Sequence, residues 1–321
     1  MKKLFVSVLA VAALAACAKE ELVSLNQEAI QFGGPFVENS TRATDPSYGG
    51  AQGQQALTSF NLWGTVAASN DTPVAIYAND TVEGAAVGTN VVDGKETNVW
   101  NCISKTQYWI KDAKYNFAAL VNAGNVTLGS DLLPATVEFT ANGSTDLMYA
   151  RSTENIIGQA SNNAPVNFTF AHLLSKVYIG VTNSSSSATG YSFLVKNIKI
   201  NAPKTGKYYI QEVVENEETK AAGTWAATNG DYTFANISVT GATAECAAEQ
   251  LLIPGAATIS FTVDIIYNNN KTITTVDYSK SVTLAAATAY KFNIITSVGE
   301  PIQFSVTEQP TWTNATPSNL N

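Results

Sequence analysis

Residues 166–181 read VNFTFAHLLSKVYIGV, and two stretches within them decide the fold. In Val166-Asn167-Phe168-Thr169-Phe170, and again in Val177-Tyr178-Ile179-Gly180-Val181, apolar side chains recur at every second position. Successive side chains of a strand point to opposite faces, so this spacing fits a half-buried strand; a helix would repeat about every 3.6 residues. The same alternation returns in Phe60–Trp63, Tyr115–Phe117, Tyr232–Phe234, Ile259–Val263 and Tyr290–Ile294. Aromatic and β-branched residues dominate these runs, as a pleated surface favours. Between them lie clusters of turn formers at Asn122–Asn125, Asn142–Ser144, Asn183–Gly190, Asn229–Asp231 and Asn268–Asn270. No long stretch carries a helical period. Short strands at this spacing predict an all-β protein built from β-sandwiches.

The chain has 321 residues, 45% of them hydrophobic and 14% charged, enough for two buried cores. The polar stretch Arg151 to Pro165 divides Asp146–Ala150 from the apolar run starting at Val166, and the boundary between two domains is expected there. This gives a leader at 1–17, a first domain at 18–160 and a second at 161–321. The Ser184–Ser187 run is short enough to be a hairpin loop inside the second domain.

The leader has its own logic. Lys2 and Lys3 precede an apolar run from Leu4 to Ala16, too short to span a bilayer as a mature helix and laid out as a secretory signal. It ends in Leu14-Ala15-Ala16-Cys17, a branched residue and two small ones before a cysteine, the pattern cut by signal peptidase II. Cys17 is therefore the expected lipid attachment site, and acyl chains would hold the precursor on a membrane. Loss of Lys2 and Lys3 with the leader takes the net charge from −8 to about −10, which argues against a nucleic-acid partner. Cys102 and Cys246 are far apart and are expected as buried free thiols.

The search for catalytic chemistry is mostly negative. His172 is the single histidine, so any nucleophilic triad would have to use it, and beside Phe170 and Leu173 it reads as a packed or hydrogen-bonded side chain. One histidine and two separated cysteines make no metal set. Gly88 to Lys95 has the wrong spacing for a phosphate loop, and Glu96 follows where Ser or Thr is needed. No enzyme activity, cofactor or metal is expected. Of the five tryptophans, Trp63 and Trp109 read as core residues, while Trp225, among small and polar neighbours, is the one expected to be exposed. An exposed aromatic of this kind keeps open a second reading, a monomeric surface lipoprotein that binds glycans.

Only two arginines occur, Arg42 and Arg151. Arg42 lies in Asn39-Ser40-Thr41-Arg42-Ala43-Thr44-Asp45, among turn formers with no apolar period, where a trypsin-like protease could reach it. Upstream, Ala29-Ile30-Gln31-Phe32-Gly33 is a brief alternating strand; near the other end, Pro301–Thr307 alternates again and repeats the triplet Ile-Gln-Phe. Loss of an edge strand exposes backbone groups and an apolar groove that an extended segment of another chain can fill.

These residues resemble the fimbrillin-like (Mfa-like) family of Bacteroidales surface lipoproteins, the subunits of type V pili. The resemblance runs through the Cys17 lipobox, Ile30-Gln31-Phe32, Thr41-Arg42-Ala43-Thr44, Phe60–Gly64, Tyr108-Trp109, Tyr115–Ala119, Asp146–Ala150, Phe168–Val177 and Val306 to Trp312. It implies two transthyretin-like β-sandwich domains, export as a lipoprotein to the outer membrane, and removal of the first strand by an arginine-specific protease. A donor strand from a neighbouring pilus subunit then fills the gap. Carried onto this chain, the scissile bond is Arg42-Ala43, the displaced strand holds Ile30 and Phe32, and the donor strand holds Ile302, Phe304 and Val306. A stalk subunit is the first expectation and a tip or accessory subunit the second. Arg151 must then be shielded from the same protease.

Overall fold

The computed structural model describes residues 28–33, 36–37, 57–68, 71–84, 91–92, 95–96, 100–185, 190–240, 245–246, 249–268 and 271–309. Among them every regular element is a strand, as the period-two pattern predicts.

An eight-stranded sheet carries the first core. Its order is Phe36–Val37, Thr169–His172, Met148–Arg151, Ala113–Val121, Ser59–Ala68, Val74–Gly84 and Trp100–Cys102, with Ile156–Ile157 added beside Ala113–Val121. Strand Ala113–Val121 shows why its sequence is so apolar. Tyr115, Phe117 and Ala119 face a core that includes Phe60, Leu62 and Phe170, whereas Ala118 and Leu120 face the other way, against Trp63 and Leu133. A strand buried on both faces loses the polar alternation of a half-buried one.

A second core fills the space between two further sheets. One is five-stranded, with Ser175–Asn183 parallel to Ala289–Thr296 and Gln303–Gln309 at its end. The other is seven-stranded and centred on the 19-residue strand Tyr191–Tyr209. This strand changes phase part-way, with Phe193 and Val195 inward and then Ile198, Ile200 and Ala202 inward. The switch coincides with a break in register between Lys196 and Lys199, where Asn197 has φ 53°. An extra residue at a β-bulge moves the inward set by one position, and Asn tolerates the left-handed conformation better than most residues.

The two cores interleave along the chain. Val137, Phe139 and Leu147 belong to the second core, and Val166, Phe168 and Phe170 to the first, so segments on both sides of the expected 160/161 division cross it. The polar stretch from Arg151 starts in a strand, since Arg151 pairs with Ala118, and Ile156–Ile157 is stitched to Lys114–Tyr115.

Three sequence expectations need correction. Asn229-Gly230-Asp231 is no turn but the interior of strand Thr224–Thr233. A bulge at Lys204 in the facing strand lays that side chain over Gly230, where a Cβ would come 2.7 Å from the Lys204 Cδ, and Asn201 Nδ2 donates to Asp231 at 2.9 Å. The Asn183–Gly190 connection is no hairpin, because Ser175–Asn183 and Tyr191–Tyr209 lie in different sheets. Cys102 is a free thiol but half-buried, beside the Ser104 hydroxyl; the Cys246 side chain lies outside the described residues.

Candidate functional site

The alternating pattern at Ala29–Gly33 takes its place in the first core, and its location differs from expectation. The leading segment Glu28–Gly33 is not at an edge but is held from both sides. On one flank the Ile30 N–H donates to the Gln107 carbonyl at 2.8 Å, and the Trp109 N–H to the Glu28 carbonyl at 3.0 Å. Phe32 and Trp100 exchange both backbone bonds, at 3.4 and 3.3 Å. On the other flank the Gly33 N–H donates to Val166 and the Val166 N–H to Gln31, at 2.9 and 2.8 Å. Phe36–Val37 then continues parallel to Thr169–Phe170. Sequence alternation reports burial of one face, not how many neighbours a strand has, so an edge and a bracketed segment read alike.

Ile30 and Phe32 point into the core, 6% and 1% exposed. The Phe32 ring meets Tyr77 and Phe117 edge-on at 5.8 and 6.0 Å and stacks over Phe168 at 6.2 Å. Burying a Phe contributes about 1.5–3 kcal/mol by area, and each ring pair about 0.5–1.5 kcal/mol more. A Cβ at Gly33 would lie 1.9 Å from Asn167 Oδ1, so a side chain there requires the exposed Asn167 amide to turn aside. At the start of the segment, Glu28 Oε2 accepts from both the backbone N–H and the side-chain Nδ2 of Asn163, each at 2.8 Å. These two donors hold the Glu28 carboxyl below its ordinary range. Nothing in the sequence pointed to Asn163, which lies far along the chain in a polar stretch.

The C-terminal segment sits elsewhere. Gln303–Gln309 is the end strand of the five-stranded sheet, antiparallel to Ala289–Ile295. Phe304 lies half-buried near Phe292 and Tyr278, ring centres 5.6 Å away in each case, Ile302 is half-buried, and Val306 is 38% exposed. Cys17, Arg42 and Ala43 lie outside the described residues.

Arg151 is the last residue of Met148–Arg151, and the next N–H, that of Ser152, donates to the Phe117 carbonyl at 3.0 Å. The Ser152 hydroxyl in turn accepts from the Phe117 N–H at 3.2 Å, so the Arg151–Ser152 bond is held within the sheet. The guanidinium lies 3.4 Å from Asp131 Oδ2.

The remaining sequence candidates take structural places. Trp63, Trp100 and Trp109 are core residues. Trp225 is half-buried against Tyr208, and its Nε1 donates to the Leu173 carbonyl at 3.3 Å, so it is not the exposed platform expected. His172 is buried with Nδ1 2.5 Å from Asp146 Oδ2. An open groove of about 970 Å³ lies along Asn122–Asn125 and Gly206, and its one aromatic lining residue, Phe139, is itself buried.

Comparison with known proteins agrees with this architecture. A model of the fimbrillin-like family matches residues 41–310. No curated protein matches the chain. Among solved structures, a candidate cell adhesion protein from Bacteroides ovatus is 16% identical with a TM-score of 0.52, covering 90% of this chain and 99% of its own, a likeness of fold. A candidate cell adhesion protein from Bacteroides uniformis is 16% identical with a TM-score of 0.49, over 90% and 99%. The fimbrial anchor protein Mfa2 from Porphyromonas gingivalis is 12% identical with a TM-score of 0.34, over 79% and 89%. With well over half its length matched by that family's model, the chain belongs to the fimbrillin-like family.

Proposed function

We propose that this fimbrillin-like chain is a stalk subunit of a surface fimbrium, assembled by exchange of its leading segment for a strand of another subunit. As a member of that family it is a pilus or adhesin subunit, a structural protein and not an enzyme. In the finer reading it is exported as a lipoprotein anchored through Cys17 in the outer membrane and is cut by an arginine-specific protease between Arg42 and Ala43. The subunits then polymerise, supporting adhesion. The expected division into two transthyretin-like domains belongs to the same reading.

The observation that carries it is the packing of Glu28–Gly33. Ile30 and Phe32 fill a core position between two sets of backbone partners, and the peptide bond after Arg42 lies on the only covalent path from them to Leu57 and beyond. A cut there leaves the segment held by noncovalent contacts alone. Its departure would uncover backbone donors and acceptors on both flanks together with the faces of Tyr77, Phe117 and Phe168, and buried polar groups left unpaired are costly. A second extended segment satisfies them all.

The test is to treat the purified precursor with an arginine-specific protease and follow N-terminus and size. A stable product beginning at Ala43 that forms ladders resistant to mild denaturant is expected, and Arg42→Lys should block both steps. A trimmed product that stays monomeric at high concentration overturns the proposal. The stabilised position of Trp225 gives the glycan-binding reading no support of its own.

A further inference from the structure

We infer that, when residues 300–305 of another subunit take the Glu28–Gly33 position, Glu300 sets their register by docking on Asn163. This rests on the strand-exchange reading above and adds to it the register and the residue that enforces it.

The two hexapeptides are Glu28-Ala29-Ile30-Gln31-Phe32-Gly33 and Glu300-Pro301-Ile302-Gln303-Phe304-Ser305, identical at four of six positions. The two differences fall where the site tolerates them. Ala29 faces Tyr108 at a bridge whose hydrogen bonds are made by the Ile30 N–H and the Glu28 carbonyl, so a proline lacking N–H forfeits neither bond there. Proline also biases the preceding residue towards the extended conformation that a strand needs. At Gly33 the close neighbour is the tip of Asn167, an exposed side chain that can turn into solvent to admit the Ser305 Cβ.

Register follows from the carboxylate. A slip of one residue would turn the apolar set outward, so the competitors are slips of two. Sliding one way puts Ile302 opposite Asn163 and leaves both of its donors without the charge they hold now. Sliding the other way drives Glu300 into the seat of Ile30, 6% exposed, where an unpaired carboxylate is strongly disfavoured. Only the seating with Phe304 in place of Phe32 and Glu300 in place of Glu28 escapes both penalties. Phe304 also gains by the move, from a half-buried place at a sheet end to a seat where Phe32 is 1% exposed.

The experiment trims the full chain with an arginine-specific protease in the presence of excess synthetic peptide and measures capture by native mass spectrometry. Two peptides are compared, residues 27–37 and residues 298–308, with Glu300→Ala and Pro301→Ala versions of the second. Both parent peptides should be captured. Glu300→Ala should weaken capture about tenfold, the size expected for charge-assisted hydrogen bonds, and Pro301→Ala should change it less than about twofold. On an Asn163→Ala chain, which keeps the backbone N–H at 163 but loses Nδ2, the Glu300→Ala penalty should shrink to about threefold, a coupling that a merely structural role for Asn163 would not produce. Capture of 27–37 but not of 298–308, or a Glu300→Ala penalty that is absent on the parent chain or undiminished on the Asn163→Ala chain, overturns the inference and leaves strand exchange standing. Capture of neither peptide removes both.

Discussion

Phe32 and Phe304 occupy the same place in the same tripeptide, yet burial gives them different weights. Each meets three rings, but Phe32 is 1% exposed whereas Phe304 lies half-buried at a sheet end. In the full chain, Phe32→Ala should cost about 3–5 kcal/mol in urea unfolding, the range for a fully buried Phe. Phe304→Ala should cost about 1–2 kcal/mol, and equal losses would contradict the placement of Glu28–Gly33 in the core. The start of that segment should also respond to pH. The folded-state pKa of Glu28 is depressed by its Asn163 donors, so the stability it contributes is present above its unfolded value near 4.5 and is lost as pH falls through the lower folded value. Hydrogen exchange at the Ile30 and Phe32 amides should therefore speed up in that acid window, and Glu28→Gln should remove the dependence. The burial of Ile30 and Phe32 was legible in the alternation of Ala29–Gly33, but Asn163 was not, because one polar residue in a polar stretch carries no periodic signal.

Among the elements, Met148–Arg151 shows how secondary structure shields an arginine from proteolysis. A protease needs several residues in an extended, unpaired conformation. Arg151 pairs with Ala118, and Ser152 exchanges bonds with Phe117, so cleavage there requires the strand to leave its sheet. Digestion of the native chain by an arginine-specific protease should leave Arg151–Ser152 intact over hours while Arg42–Ala43 is consumed, and urea should abolish the difference. A Ser152 N-terminus appearing at the native rate would show the shielding to be wrong. The sequence read Arg151 as the start of a polar link, since a single charged residue at a strand end breaks no apolar pattern. The same limit explains Asn229-Gly230-Asp231, whose turn chemistry is overridden by cross-strand amide bonds and a bulge opposite. Where alternation is long and regular, as in Ile259–Val263 or Tyr290–Ile294, sequence and structure coincide, because one buried face dictates the period.

At the scale of the whole molecule, the interleaving of the two cores makes a cut through the chain at residue 160 a test of how the protein holds together. A fragment ending there keeps Ala113–Val121 but lacks Val166, Phe168 and Phe170, which pack with Phe60 and Phe117. The complementary fragment from 161 lacks Pro134–Thr140, the strand that pairs with Thr205–Tyr209, and with it Val137 and Phe139 of the second core. Each half therefore exposes an apolar surface and an unpaired edge, and losses of several large side chains at about 2–5 kcal/mol each exceed the usual stability of a domain. Trp63 and Ala118 packed on Leu133 add a junction between the two assemblies. Neither fragment alone should give a cooperative melt by circular dichroism or dispersed amide signals, whereas the two refolded together should recover both. The intact chain should unfold in a single transition by all probes, since neither core is complete without strands from the other half. Two independent cooperative melts from the separate fragments would mean that the crossing strands contribute little, and the shared-core account of this architecture would fail.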